Sequence, residues 1–381
     1  MRALAADQIL TPQGQLHDKQ VLMVDDDGTI VELLDESLVN TPIEHYKGIL
    51  APGLINAHCH LELSHMKEVI PSGGGLPGFL SHIIKSRKST PVDEQTAAFQ
   101  YDAVMWENGT QAVGDICNNE ITWPVKAASK IRYHNFIETF GLDPEKAAGR
   151  FALAAQLHAS ANTSGMSASI VPHAPYSVSP PLYTAIQNAF DPASDIWSIH
   201  FLESQSEKDL IMNGTGPMKD MYASLGIMAH SFEGYGSSVA EMVLQHIPAA
   251  GKILFVHNTF LNRDDIATLK ASRRFSDMYF CLCPKANLYI EGRLPDVPMM
   301  IQSGCKIVLG TDSLASNSGL SIVDEIATLL EYYPELNAAQ LFQCATANAA
   351  ALFGWNDLGS FEKGKKPGVV LVDGASSKRL V

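Results

Sequence analysis

No uninterrupted apolar stretch among the 381 residues approaches the roughly 20 that a membrane helix requires. Basic residues are scarce as well: 27 Lys and Arg stand against 41 Asp and Glu, a formal charge of −14. That balance supplies no basic patch for nucleic acid or for an anionic membrane surface. The six cysteines, at positions 59, 117, 281, 283, 305 and 344, show no CxxC pairing. Most lie in apolar runs, which points to buried free thiols rather than disulfides or a zinc knuckle. The glycines of residues 71–78 lack the lysine and serine of a phosphate-binding loop. Residues 1–8 meet charge before an apolar segment of secretory length develops. These absences predict a cytoplasmic protein that works on a small molecule, with neither nucleic acid nor membrane as partner.

What is present is a large apolar fraction, 46%, enough for an extensive core and broken into short runs. Strand-like runs end at residue 58 and cover 110–116, 134–139, 168–172, 196–201, 253–256, 278–283 and 306–311. Helix-period stretches at 93–108, 144–160, 180–190 and 237–245 lie between them, several stopped by Gly or Pro. Eight strands alternating with helices predict an α/β fold of the (β/α)8 TIM-barrel type. The two ends of the chain differ, carrying short alternating strands with turn signals.

Four polar clusters close four of the apolar runs: His58-Cys59-His60, His200 with Glu203, His257, and Gly310-Thr311-Asp312. Parallel barrels and sheets build their sites at the C-terminal ends of strands. Side chains alternate along a strand, so His58 and His60 face the same way and can offer two imidazoles to one ion, while Cys59 faces the opposite side. Neutral imidazole suits zinc and also iron. A carboxylate ending a buried apolar strand is hard to explain as packing, because burying it unpaired is costly. The pattern reads as a metal-dependent hydrolase.

The chain here resembles the amidohydrolase superfamily, and within it the branch of cytosine, guanine and adenosyl-type deaminases and related chlorohydrolases. The matching stretches are PGLINAHCHLELS at 52–64, PHAPYSVSP at 172–180, HFLESQSE at 200–207, VHNTF at 256–260, LGTDSLASN at 309–317 and GSFEKGKKPGVVLVD at 359–373. They run nearly end to end. The resemblance implies a small β-sandwich built from both chain termini, residues 1–51 and 355–381, beside a barrel of residues 52–354. It implies one divalent ion, zinc or else iron, held by His58, His60, His200 and Asp312. Glu203 would move the water proton to a ring nitrogen of the substrate, His257 would orient the attacking water and stabilise the growing charge, and Asp312 would also accept a hydrogen bond from that water. Binuclear relatives carry a bridging lysine at the end of strand four, whereas this strand ends at His173, which supports a single ion and makes His173 a substrate contact.

Glu62 and His65, just past the ligands, are candidate pocket residues or else solvent-facing helix residues. The glycine-rich, then basic, segment 66–89 is either a lid or a plain surface loop, and its Arg87 is a candidate for meeting a substrate carboxylate. Ser313 and Asn317 are candidates for tying down the loop after Asp312. His158, His230 and His246 read as surface groups. HLELS resembles the deaminases of aminodeoxyfutalosine and of adenosyl compounds, so the implied substrate class is an adenine nucleoside derivative. Guanine, triazine and dechlorination chemistry stay open, as does a catalytically silent scaffold. The resemblance further implies a homo-oligomer, commonly a dimer.

Overall fold

The computed structural model describes residues 1–88, 90–227 and 232–381. From the amino terminus, β1 (Arg2–Leu10), β2 (Leu16–His17), β3 (Gln20–Val24), β4 (Ile30–Asp35) and β5 (Glu44–Pro52) begin one mixed sheet. The chain then forms β6 (Leu54–Cys59), β7 (Thr110–Cys117), β8 (Arg132–Thr139) and β9 (Ser167–Pro172), a parallel four-stranded sheet in that order. A second parallel sheet follows from β10 (Ile196–Phe201), β11 (Lys252–His257), β12 (Met278–Leu282) and β13 (Lys306–Leu309). Finally β14 (Val369–Asp373) and β15 (Ser376–Arg379) return to the first sheet, whose order is β15-β14-β5-β1-β3-β4 with β2 on β1. Strands from both termini thus pair in one hydrogen-bonded sheet. Apolar clusters on Leu4, Leu22 and Leu50 and on Ala3, Val21 and Met23 bury alternate residues of its strands.

Parallel strands covered on both faces run mostly apolar, and every residue of β6 and of β10 is buried. One core cluster takes Ile55, Ala112, Phe136 and Val171 from the first parallel sheet and Ile196, Leu254, Tyr279 and Val308 from the second. The sheets also meet through their backbones. The His200 N–H donates to the His173 carbonyl at 2.9 Å, and the Thr311 and Asp312 N–H groups both donate to the His58 carbonyl, at 3.0 and 3.1 Å. Gly310 permits that second approach: a Cβ there would lie 2.8 Å from the His58 carbonyl oxygen, too close for any side chain. Asn56 completes the junction, its amide donating to the Thr311 hydroxyl at 2.7 Å and its carbonyl accepting from the Thr311 N–H at 3.1 Å.

The expected helices are present with shifted ends, as Glu94–Glu107, Ala147–Thr163, Pro180–Ala189 and Val239–Leu244. The segment read as a lid or plain loop is instead largely helical, Gly75–Ser86. Leu76, Phe79, Leu80 and Ile83 recur on one face of it. The six cysteines are free, all buried but the half-buried Cys305. No helix among the described residues is long and apolar enough to cross a membrane.

Candidate active site

The four polar clusters converge. His58 and His60 leave β6 with their Nε2 atoms 3.1 Å apart. Asp312 Oδ1 lies 3.3 Å from His60 Nε2 and 3.7 Å from His58 Nε2. The His200 ring centre is 4.9 Å from that of His58 and 5.4 Å from that of His257. Cys59 is buried instead with Leu61, Met105 and Val113, on the opposite strand face as expected. The donor atoms of His58, His60 and His200 all lie within 4.8 Å of one another, and so do those of His58, His257 and Asp312.

Strand ends deliver these groups through unusual backbone. Leu202, His257, Asn258 and Asp312 all have positive φ, between 51° and 75°, a region L-residues seldom adopt and which the surroundings must enforce. Asn258 pins its turn by donating side-chain bonds to the Phe255 and Cys281 carbonyls, at 2.9 and 3.0 Å. Glu207 does the same after β10, its carboxylate accepting from the Leu202 and Glu203 N–H groups at 3.2 and 2.8 Å. Behind His60, the Leu61 N–H donates to Asp115 at 2.8 Å, and Asp115 is paired to buried Lys126 at 2.6 Å.

Burial pushes the His58, His200 and His257 imidazoles below their ordinary pKa, and takes His60 down to about 3 and His173 to about 4. The rings are therefore neutral, with lone pairs free for coordination. Hydrogen bonds fix which nitrogen carries the proton. His200 Nδ1 donates to the His173 carbonyl at 2.8 Å, and His257 Nδ1 donates to the Asn287 side-chain oxygen at 2.9 Å. Ser177 gives its hydroxyl proton to the Ala174 carbonyl, so its oxygen accepts from His173 Nδ1 at 2.8 Å. In each ring Nε2 keeps the lone pair. Burial acts to raise the Asp312 carboxyl, but contacts with His58, His60 and His257 outweigh it and hold the group well below the carboxylate range.

His58 Nδ1 is buried without a partner among the described residues, so no hydrogen bond fixes that nitrogen. Three neutral imidazoles and an ionised carboxylate form a donor set matched to one divalent cation with a coordination position left for water. The donor set therefore fits a metal. A second ion beside Glu138, His173 and His200, whose donor atoms also cluster, is disfavoured because His200 Nδ1 carries the proton given to His173.

Glu203 stands apart from the ligands, buried, its Oε1 3.5 Å from His257 Nε2. Burial, then Asp312 and Glu291, push its carboxyl well above the usual range. A carboxyl able to hold a proton here is suited to transferring one.

The amidohydrolase family profile matches residues 49–380. This chain belongs to the amidohydrolase family. It is similar to the aminodeoxyfutalosine deaminase of Nitratiruptor sp., with 26% identity over 89% of this chain and 82% of the relative. The solved structure of Helicobacter pylori aminofutalosine deaminase in complex with methylthio-coformycin superimposes with a TM-score of 0.82 at 22% identity, covering 97% of this chain and 91% of the other. Atrazine chlorohydrolase from Arthrobacter aurescens, complexed with zinc, gives 0.73 at 17% identity over 97% and 86% of the two chains. The protein is thus an amidohydrolase, with a hydrolytic chemistry.

In this amidohydrolase the site opens into a cavity of about 870 Å³. His173 and Glu62 line it, as expected. His65 does not. Its ring is buried between the Glu62 and Arg87 carbonyls, 3.1 and 3.0 Å from its two nitrogens, so it braces the segment. Arg87 reaches the cavity wall and is paired through one nitrogen with Glu62, 2.7 Å away. Asn317 ties down its loop, donating to the Thr311 carbonyl and to Glu325 at 2.9 and 2.7 Å. Ser313 lines the cavity, and it is the Ser316 hydroxyl that donates to Asp312 Oδ2, at 2.6 Å. His158 and His246 are half-buried rather than surface groups, one against the Ala168 carbonyl and the other stacked on Tyr183. His230 lies outside the described residues.

Sequence reasoning misses Asn287, Glu207 and Glu138. Nothing local marks the first two. Glu138 ends an apolar run as the four assigned clusters do, and that signal was there to find. Burial pushes its carboxyl up to about 8.

Proposed function

We propose that this amidohydrolase is a deaminase of a substituted adenine nucleoside, using one metal ion held by His58, His60, His200 and Asp312. The convergence of these four groups beside the Glu203–His257 pair carries the reading. Zinc is the proposed metal, in keeping with the donor set. Such an ion, when bound, lowers the pKa of a coordinated water toward neutrality. Glu203 accepts the proton of the attacking water and delivers it to a ring nitrogen of the heterocycle. His257, held by Asn287, directs its Nε2 face to the attacking oxygen. Asp312 accepts a hydrogen bond from the same water, and His173 Nε2 meets the far edge of the ring.

Two further proposals belong to this reading. The parallel sheets are the two halves of one (β/α)8 barrel spanning 52–354, supported by the core cluster they share and by the backbone bonds between β6 and the β13 exit and between the exits of β9 and β10. The terminal strands of 1–51 and 355–381 form a separate domain beside it. The cavity also supports a large substrate. Leu76, Phe79, Ile83, Phe140, Leu142 and Phe232 line it, an apolar surface suited to a bulky substituent on the sugar.

Ammonia release by the metal-loaded protein, screened against adenine nucleosides, free purines, pterins and triazines, tests the proposal. The highest kcat/KM is expected for an adenine nucleoside with an apolar 5′ substituent. Chloride release from a chlorotriazine with no ammonia from any nucleoside would assign the site to dechlorination instead. Metal analysis of freshly purified protein is expected to give about one ion per chain, since four ligands converge. Two tightly held ions per chain would overturn the single-metal assignment.

A further inference from the structure

Glu138 has no part in the chemistry proposed above, yet its placement is exposed to chemical demand. It ends β8 on the cavity wall, its side chain 5% exposed. Its neighbours form a row. Arg87 donates to Glu62 at 2.7 Å, and Glu62 accepts from both the Asn118 N–H and the Asn118 amide, at 2.9 and 3.1 Å. The same amide donates to Glu138 Oε2 at 3.2 Å. Every carboxyl oxygen of the row is then occupied except one. Glu138 Oε1 is buried with no hydrogen-bond partner among the described residues. The His200 Nδ1, 3.6 Å away, already gives its proton to the His173 carbonyl.

A buried carboxyl oxygen left unsatisfied destabilises a fold, because it has lost water and gained nothing in return. Such a group persists where a ligand completes it. We infer that Glu138 is a specificity-determining residue that takes up a sugar hydroxyl of the substrate. The inference rests on the deaminase reading and deepens it, separating a nucleoside from a free base or a triazine. Position and chemistry both favour a hydroxyl. Glu138 clusters with His173 and His200, beside the histidine proposed to meet the far edge of the ring, the edge from which the sugar of a purine extends once its amino-bearing edge faces the proposed metal ligands. A hydroxyl both donates and accepts, so it matches a carboxyl in either protonation state, whereas a second anion would meet Glu138 and Glu62 unfavourably.

The test compares binding of purine riboside, which has no amino group to lose, with binding of its 2′,3′-dideoxy counterpart. Calorimetry would be run on metal-loaded wild type, Glu138→Ala and Glu138→Gln. The wild type is expected to prefer the riboside on the order of ten- to a hundredfold, the range of a hydrogen bond to a charged group. Glu138→Ala should erase that preference while binding the dideoxy compound as before. Glu138→Gln, which keeps one acceptor oxygen and the side-chain shape, should retain part of it. Glu138→Gln, which can still offer the Asn118 amide an acceptor, should leave the melting temperature unchanged, whereas a purely structural glutamate would lose stability on the same change. Equal affinity of the wild type for both ligands, equal losses for both in Glu138→Ala, or no binding of either ligand overturns the inference. Absence of ammonia release from any nucleoside refutes the deaminase reading instead, and the binding comparison still decides the role of Glu138.

Discussion

Glu203→Gln is expected to keep its metal and lose on the order of a hundredfold to ten-thousandfold in kcat, the usual worth of a positioned general acid and base. An amide still hydrogen-bonds to the attacking water but cannot take its proton or hand it on. Glu203 stands outside the converging donors, with His257 Nε2 3.5 Å from its carboxylate, so the four proposed ligands are undisturbed. Its loop is equally unaffected, because Glu207 holds it through the backbone N–H groups of Leu202 and Glu203. The measurement is kcat beside metal content, on whichever amino-heterocycle the wild type turns over best. Near-normal turnover would remove Glu203 from the proton path, and metal-free protein would make it a ligand.

His200→Ala should act on the metal itself. Its Nδ1 is locked onto the His173 carbonyl, leaving Nε2 as the donor toward His58 and His60, and alanine offers nothing in its place. Metal content after dialysis is expected to fall well below one ion per chain, with activity at background. Any thermal stabilisation the wild type gains from added zinc should shrink in parallel, because a ligand stabilises the native state only as far as it binds it. Full metal occupancy in His200→Ala would mean that the ion sits elsewhere.

The sequence was most legible where geometry is local. An apolar run ending in a polar residue reports a strand and its site-bearing end together, and this located His58, His60, His200, Glu203, His257 and Asp312. Where function depends on what a side chain meets across the fold, the sequence was silent. Arg87 read as free to meet a substrate because nothing near it in the chain announces Glu62, 25 residues earlier. His65 follows the proposed ligands within a few residues, as Glu62 does, yet its ring turns into the backbone. Asn287 fixes the His257 tautomer from 30 residues away. In segment 66–89 the glycines dominate the reading, but they precede a helix, Gly75–Ser86, whose apolar face lines the cavity.

The junction at Asn56 and Thr311 sets when the centre comes into being during folding. Those residues are 255 positions apart, and the proposed ligands His58 and Asp312 belong to the two strand exits that they join. Closing so long a loop is entropically slow and yields nothing until the far strand docks. A ribosome-bound chain that has emerged only through β12 carries the paired histidines without their carboxylate. Capture of the proposed ion then becomes one of the last events of maturation, and its retention serves as a certificate that the strand ends at His58 and Asp312 have met.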